Sequence, residues 1–388
     1  MPSLWKGIIV CSGSVWEIVR IGTAKVGQRP HNSETIIAGR IFLSMKALVK
    51  YASGNGNLEI RDVPEPVCGP DQVKLEIGFC GVCGTDIHVL HDTFRNYPPV
   101  ILGHEFAGTI VEVGKDVKGI SKGDRGAGLG ATAVTCGTCR FCRSGRFIFC
   151  STRRGMGHGV NGAFARYVIL RPDQFYRVPS HLTLEEAALG EPFASAIQAV
   201  TEVTDVHSED TVLISGPGPI GLLCLKLLVA ENIKTIVAGA EGDDLRLQAA
   251  RDFGAFATIN VAREDLLDAT RALTNGAGVD VAFECAGNEK SVRGCLLALR
   301  PMGLYTQVAI CGRDIQFPMD QVFYKQLRVA GSVCYTAQTW EKMMTIFAQG
   351  KVRLAELVTA KMPISRWQEA FNICTDRKGI KVLMYPED

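Results

Sequence analysis

Residues 211–230 have the sequence TVLISGPGPIGLLCLKLLVA, a strand-like run, a glycine-rich turn and a helix-like run in succession. A Gly-x-Gly-x-x-Gly turn in this position lets the backbone approach a pyrophosphate, which the free N–H groups of the following helix then bind. Without the strand and helix around it, the same glycine pattern would be a weak indication. The helix should turn one apolar face inward through Ile220, Leu223, Cys224, Leu227 and Leu228. The predicted dinucleotide contacts are Gly216, Gly218, Pro219, Ile220 and Gly221.

Strand and helix patterns continue to alternate from about residue 193 to about residue 333. Predicted helices cover roughly 243–253 and a segment that ends before Asn275. Alternation of this kind is typical of βαβ units in a parallel sheet. We predict a doubly wound Rossmann domain of the α/β class, with further strands at TIVAGA, ATIN, VDVAFE and TQVAI.

The end of the second predicted strand should determine which dinucleotide binds. An acidic residue there bonds the ribose hydroxyls and repels a 2′-phosphate, so Glu241 favours NAD over NADP. Asp243 and Asp244 compete for this role, although capping of the next helix explains Asp243 as well. Arg246 could accommodate a 2′-phosphate, so NADP stays an alternative.

The chain outside this domain has a different pattern. Residues 45–192 contain short strands, among them VKLEIGF and GTIVEVG, between frequent Gly and Pro turns, which indicates a β-rich domain. Residues 334–388 combine a helix with a closing strand and should return to that domain. Residues 1–44 form an extension that we expect to be disordered or non-native, with Met45 as the natural start. A transit peptide is the alternative, because the segment contains Arg and few acids.

Bulk composition excludes several classes of protein. At 388 residues, 47% hydrophobic and 21% charged, the chain has the composition of a globular protein large enough for two domains. Its net charge of +2 gives no reason to expect a polyanionic partner, and no apolar run is long enough to span a membrane. The 14 cysteines are grouped in tight motifs or isolated in apolar runs, as in a reducing compartment. We therefore expect a cytoplasmic protein.

Four cysteines form the run TCGTCRFCRSGRFIFC. This C-x2-C-x2-C-x7-C spacing suits one tetrahedral soft metal ion, and closed four-cysteine sites are typically structural zinc. The ligands would be Cys136, Cys139, Cys142 and Cys150. Five arginines lie in the same region, so a basic zinc ribbon for nucleic acid is an alternative. The near-neutral chain makes that alternative less favourable.

Two further segments, GVCGTDIH at 81–88 and GHEFAGTIVEVGKDV at 103–117, show a resemblance to a known family. Together with the cysteine run and the glycine turn, they resemble the zinc-containing medium-chain alcohol dehydrogenases from about residue 45 to the C-terminus. The resemblance implies a GroES-like catalytic domain beside the Rossmann domain. It also implies two Zn²⁺ ions per subunit, one catalytic and one structural, and assembly as a dimer or tetramer.

Carried over from the family, the ligands of the catalytic zinc include Cys83 and His104. Glu191 stands where classical alcohol dehydrogenases have a second cysteine, so the chain is similar to the sorbitol and threonine dehydrogenase branch. In that branch Glu105 can also bind zinc, and the choice between Glu105 and Glu191 stays open. Cys80 is excluded, because the family uses only the second cysteine and Cys80 ends an alternating strand.

The resemblance also assigns proton-transfer roles. Thr85 would pass the proton of the substrate hydroxyl towards the cofactor ribose, and His88 would complete the relay to solvent. Asp86 would orient a metal ligand. A turn-forming hydroxyl, a surface histidine and a helix-start aspartate are the structural alternatives. Lys381 would either contact the cofactor phosphate or be solvated.

These features predict a zinc-dependent oxidoreductase that transfers a hydride between a secondary alcohol, such as a polyol, and NAD. Threonine dehydrogenase-like oxidation of an amino alcohol is the nearest alternative. A non-catalytic cofactor- or nucleic-acid-binding module on the same scaffold is the alternative from another class.

Overall fold

The chain is described by a computed structural model over residues 7–12, 15–20, 34–37 and 40–387, with side chains from residue 43 onwards. Much of the predicted extension, residues 1–44, lies outside these ranges. Its assignment as disordered or non-native therefore stays a prediction.

The first half of the chain is rich in short strands. Its strands are β1 (Gly7–Ser12), β2 (Val15–Arg20), β3 (Glu34–Ile37), β4 (Arg40–Lys50), β5 (Leu58–Pro64), β6 (Val73–Gly81), β7 (Val100–Ile101), β8 (Glu105–Val113), β9 (Arg125–Gly128), β10 (Tyr167–Leu170) and β11 (Phe175–Arg177). Its α-helices are α1 (Gly84–Leu90), α2 (Arg140–Arg143), α3 (Leu184–Ala188) and α4 (Gly190–Ile197). A π-helical segment, Gln198–Val203, continues α4.

The second half alternates strands and helices. Its strands are β12 (Thr211–Ser215), β13 (Lys234–Gly239), β14 (Ala257–Asn260), β15 (Val279–Glu284), β16 (Leu299–Gln307) and β17 (Arg328–Gly331). Its helices are α5 (Pro219–Ala230), α6 (Asp244–Asp252), α7 (Leu266–Leu273), α8 (Glu289–Ala298) and α9 (Met319–Lys325). The C-terminal segment adds α10 (Ala337–Gln349), β18 (Val358–Pro363), α11 (Trp367–Thr375) and β19 (Lys381–Tyr385).

Strands β12 to β17 form one sheet of parallel strands in the order β14-β13-β12-β15-β16-β17. The strand order reverses at β12, and ligands of such sheets bind beyond the carboxyl ends of the strands at this point. In β12 the side chains of Val212 and Ile214 join one buried cluster, and Leu213 joins the cluster on the opposite face. The predicted Rossmann fold is confirmed.

A second sheet carries the metal-site segments. Strands β11, β9, β8, β6, β19 and β18 follow one another in it, and β10 also pairs with β6. The C-terminal strand β19 lies antiparallel to β6, with Leu383 opposite Gly81 and Met384 opposite Cys80. The end of the chain thus completes the sheet that its first half begins.

A single buried apolar cluster links the two halves. It contains Ala107 and Ala127 from the β-rich part, Phe193 from α4, and Ile214 and Leu223 from the Rossmann part. Because α4 is buried on nearly every side, it fixes the position of the β-rich part against α5.

Candidate active site and metal centres

The four predicted structural cysteines come together. The Sγ atoms of Cys136, Cys139, Cys142 and Cys150 all lie within 4.8 Å of one another. Backbone N–H groups point at the sulfurs, from Cys139 to Cys136 at 3.3 Å and from Cys136 to Cys150 at 3.4 Å. Backbone donors from Cys139 and Thr138 lower the pKa of Cys136 to about 5. Four converging thiols with N–H donors fit one tetrahedral zinc ion.

A second group brings together Cys83, His104 and Glu105, whose ligand atoms also lie within 4.8 Å of one another. Cys83 precedes α1, and His104 and Glu105 stand at the start of β8. Buried Asp86 links the two segments, because Oδ2 accepts from the Cys83 backbone N–H at 2.9 Å and Oδ1 from the Gly103 N–H at 3.3 Å. The predicted ligands Cys83 and His104 therefore converge although they lie 21 positions apart in the sequence.

Gly103 makes this convergence possible. Its φ of +89° lies in the left-handed region, where a side chain is strained. An added Cβ would also lie 2.8 Å from Cys80 Sγ and 2.9 Å from the Phe164 ring. Only glycine fits this turn, and the turn sets the position of His104.

The charge state of His104 follows from its surroundings. Burial favours the neutral ring, but Cys83, Asp86 and Glu191 more than offset burial and raise the pKa of His104 well above its usual range. Nδ1 is buried and has no hydrogen-bond partner among the described residues. It lies 3.7 Å from Asp86 Oδ1, so a carboxylate stands behind the imidazole as it does behind many metal-binding histidines.

Glu191 stands beside this group at the start of α4. Burial raises the pKa of Glu191 to about 7, and the charge of His104 opposes that rise. The buried Tyr335 hydroxyl faces the Glu191 carboxylate and works against that rise in the pKa of Glu191. Glu191 is not one of the three residues whose ligand atoms cluster, which makes Glu105 the nearer carboxylate donor.

The donor set fits a zinc ion. A thiol, an imidazole and a carboxylate are ordinary zinc ligands, and three protein ligands leave the fourth position to substrate or water. The buried Nδ1 atom of His104 has no hydrogen-bond partner among the described residues, as expected of a group that awaits a ligand.

Thr85 and His88 both lie on α1. Thr85 is partly buried in its first turn, two residues beyond Cys83. His88 is exposed near the end of the helix, and its Nδ1 pairs with Thr93 Oγ1 at 3.0 Å. The structure thus places Thr85 near the metal-site segment and His88 on the solvent side.

The glycine turn has the geometry that a pyrophosphate site needs. Gly216 has a φ of +109°, and an added Cβ would lie 2.6 Å from the Ala286 nitrogen. A Cβ on Gly221 would lie 2.1 Å from the Gly216 oxygen, so the helix packs tightly on the turn. A Cβ on Gly218 would meet nothing within 4 Å, which leaves an open space in front of the N-terminus of α5. Pro219 and Ile220 form the first turn of that helix.

A cavity of about 560 Å³ continues from this open space. Gly216, Gly218, Asp243, Arg246 and Arg377 are among its lining residues, whereas Glu241 is not. Asp243 accepts from the Ala240 N–H at 3.0 Å and lies 3.8 Å from Arg246 and 3.5 Å from Arg377. Glu241 is exposed in the turn before α6.

Sequence reasoning missed two residues and left two roles open for a third. Lys381 is buried, forms an ion pair with Glu105 and donates to the Val82 carbonyl at 3.0 Å, so the solvated alternative is wrong. Tyr335 and Arg377 reach the two sites from the C-terminal segment. No local motif marks either residue, because Tyr335 meets Glu191 and Arg377 meets Asp243 across more than 100 positions of the chain.

Two family models match the chain. The alcohol dehydrogenase GroES-like domain matches residues 69–180, and the zinc-binding dehydrogenase model matches residues 219–349. Among the described residues, no helix has both the length and the apolarity needed to cross a bilayer.

Similar proteins cover most of the chain. Sorbitol dehydrogenase of Halalkalibacterium halodurans is 36% identical over 89% of this chain and 100% of its own length. L-Threonine 3-dehydrogenase of Marinomonas sp. is 33% identical over 88% of this chain and 99% of its own. The structure of a zinc-binding dehydrogenase of Sinorhizobium meliloti bound to NADP matches with a TM-score of 0.80 and 28% identity, over 88% of this chain and 99% of that one. The chain is therefore an oxidoreductase and belongs to the zinc-containing medium-chain alcohol dehydrogenase family.

Proposed function

We propose that this enzyme oxidises a secondary alcohol of the polyol type with NAD, and that it uses two zinc ions per chain. The observation that carries the proposal is the convergence of Cys83, His104 and Glu105, with Glu191 beside them, in a chain that also has an open glycine turn. The identity to a sorbitol dehydrogenase supports a polyol as the substrate.

Cys83, His104 and Glu105 would hold the catalytic zinc. When bound, such an ion lowers the pKa of an alcohol hydroxyl and polarises a carbonyl. Asp86 keeps the two ligand segments in register by accepting from the backbone of Cys83 and Gly103. The second zinc would be bound by the four-cysteine lobe, where it has a structural role.

The proton of the substrate hydroxyl needs a route out of the site. Thr85 Oγ1 lies on the first turn of α1 and would accept it. His88, one turn further along and exposed, would release it to water. Replacement of Thr85 by Val should therefore lower kcat more than it changes KM, whereas Thr85→Ser should retain most of the activity.

The dinucleotide would place its pyrophosphate on the open space at Gly218 and its adenosine ribose near the end of β13. When bound, it accepts the hydride. For the ribose we propose Glu241, with NAD preferred. The Glu241→Ala variant should raise KM for NAD and narrow the preference over NADP. If Asp243→Ala does so and Glu241→Ala does not, the lining residue Asp243 is the ribose ligand.

A threonine dehydrogenase-like activity is the second candidate, supported by 33% identity to such an enzyme. One panel separates the two. Sorbitol, other polyols, simple secondary alcohols and L-threonine are offered with NAD, and NADH absorbance is recorded. The proposal predicts the highest kcat/KM for a polyol, and a higher value for L-threonine would contradict it.

We also propose a cytoplasmic homo-oligomer. All 13 cysteines whose side chains the structure describes are free thiols, as expected in a reducing compartment. The outer strand β17 and helix α9 expose Val329, Phe323 and Tyr324, a surface suited to a second copy. Light scattering after size-exclusion chromatography tests the assembly, and a monomeric mass would contradict it.

A further inference from the structure

A small cavity of about 250 Å³ lies between the loop that follows α1 and the end of the four-cysteine lobe. Among the residues that line it are Phe94, Arg95, Tyr97, Arg153, Arg154 and His158. None of the described residues in its wall carries a carboxylate. Three guanidinium groups without an acid between them produce a local positive potential on a chain whose net charge is only +2.

Aromatic stacking holds two of these guanidinium groups in place, and a hydrogen bond to the backbone holds the third. Arg154 stacks over the Tyr97 ring at 4.3 Å, and Arg95 lies 5.1 Å from the same ring. Arg153 donates to the Ala131 carbonyl at 2.8 Å. Within the described part of the chain, none of the three forms an ion pair with a carboxylate, which leaves their charge available to a ligand.

The segment that forms one wall of the cavity packs against the turn before His104. An added Cβ on Gly157 would lie 3.0 Å from the Gly103 backbone, so the segment that carries the arginines packs on the turn before His104. Gly130 stands next to Ala131, whose carbonyl accepts the hydrogen bond from Arg153. A Cβ added to Gly130 would lie 3.2 Å from the His104 backbone oxygen.

We propose that Arg153 and Arg154, with Arg95 at the rim, bind a phosphate group carried by the alcohol substrate. This inference rests on the proposed function and narrows the substrate class to phosphorylated polyols. Guanidinium forks bind phosphate oxygens through paired N–H donors, and two or three of them match the charge of a phosphomonoester better than that of one carboxylate. His158 stays neutral at physiological pH and supplies one further hydrogen-bonding edge.

The four-cysteine lobe gains a role from this arrangement. Cys150 lines the cavity, and Arg153 and Arg154 follow it by three and four positions in the chain. The structural zinc would therefore fix the arginines that select the substrate.

The test compares three substrates on the zinc-loaded, full-length enzyme: a hexitol, its phosphomonoester and the matching aldonate. We expect kcat/KM for the phosphomonoester to exceed that for the hexitol by about tenfold or more, since bonds to charged groups are worth that much in binding. Arg154→Met should lower this ratio about tenfold, and inorganic phosphate should inhibit competitively and less strongly in the variant. The Arg154 side chain is exposed and stacks on Tyr97, and the backbone bonds of Arg154 to Val134 do not depend on that side chain, so its replacement should leave the melting temperature nearly unchanged.

Arg140→Met is the matched control, because Arg140 stacks on Phe141 in the same lobe but does not line the cavity. Its substrate ratio should equal that of the wild type. If kcat/KM is about equal for the phosphomonoester and the hexitol, and Arg154→Met does not change this, the phosphate site is overturned. The proposed function would still stand. A preference for the aldonate would overturn the assignment to phosphate. If none of the three substrates is oxidised, the polyol proposal itself fails.

Discussion

Lys381 on the last strand and Glu105 at the start of β8 form a buried ion pair, with side chains only 3% and 1% exposed. Burial would lower the pKa of Lys381, but Glu105 and Cys83 offset it and hold that pKa above its usual range. The C-terminal strand thus places a positive charge beside Glu105 of the proposed metal site. The Glu105 carboxylate thus pairs with Lys381 and also lies within the proposed metal site.

Replacing Lys381 by Met should destabilise the protein by about 3–5 kcal/mol, because it leaves a buried carboxylate without its partner. The double variant Lys381→Met/Glu105→Gln should recover much of that loss, since no unpaired charge remains. Denaturant unfolding of both variants measures the difference. If Lys381→Met alone lowers the free energy of unfolding by less than about 1 kcal/mol, the Lys381–Glu105 ion pair does not form in solution.

Gly103→Ala should lower both stability and zinc content, because the new methyl group strains the backbone and collides with Phe164 and Cys80. A left-handed alanine costs about 1 kcal/mol and overpacking about 1–3 kcal/mol more. Gly119→Ala is the matched control, since Gly119 has a φ of +78° but open space around its Cβ position. Equal losses in the two variants would contradict a steric role for Gly103.

Two alanine variants in the glycine turn should separate binding from folding. At Gly218, where φ is −71° and the space is open, alanine should weaken dinucleotide binding and leave stability intact. At Gly221 it should destabilise the domain, because its Cβ would lie 2.1 Å from the Gly216 oxygen. Calorimetric titration and thermal unfolding measure the two effects. If the Gly218 variant binds NAD with unchanged affinity, the pyrophosphate does not bind at this turn.

Cys139→Ser should reduce bound zinc from two ions per chain to one and lower the unfolding temperature, because structural zinc contributes folding energy directly. Cys68→Ser is the control, since Cys68 is a free thiol outside both metal groups. Elemental analysis of the purified proteins gives the count. Two ions in the Cys139 variant would contradict the structural site.

His158 should make the protein less stable in mild acid. Burial lowers its pKa to about 3, from an ordinary 6.5, so the unfolded chain takes up a proton below pH 6.5 that the native state refuses. Stability is therefore lost as the pH falls from 6.5 towards 3, by at most about 1.4 kcal/mol per pH unit from this group. In His158→Gln the slope between pH 6.5 and pH 5 should be shallower, measured by urea unfolding with excess zinc. An identical slope would show that His158 is protonated in the native state.

Local patterns predicted most of the Rossmann domain. The segments TVLIS, ATIN and VDVAFE are the strands β12, β14 and β15 residue for residue. The predicted strand TQVAI overlaps only the end of the observed strand, because β16 runs from Leu299 to Gln307. The strand ends at Gln307, whose side chain donates to Glu284 at 2.6 Å. Helix α5 is buried on more sides than the predicted apolar face, since it lies between α4 and the sheet.

The side chains proposed as metal ligands could be named from the sequence because each lies in a short motif with its own spacing. The residues around them were not. Lys381 reaches Val82 across 299 positions, and the Arg95 and Arg153 loops meet only in the folded chain. The proposed ribose site was likewise beyond what sequence patterns predict. The turn at Gly242, with a φ of +83°, exposes Glu241 and turns Asp243 towards the cavity, and spacing along the sequence does not predict that rotation.

The central claim is that a zinc ion at Cys83, His104 and Glu105 is needed for NAD-linked oxidation of an alcohol. The most direct measurement is NADH formation from a polyol or its phosphate by the purified enzyme, before chelation, after chelation and after zinc is restored. We predict that activity disappears with the catalytic zinc and returns with it, while the dinucleotide still binds the depleted protein. Full activity in protein whose elemental analysis shows no zinc would contradict the claim.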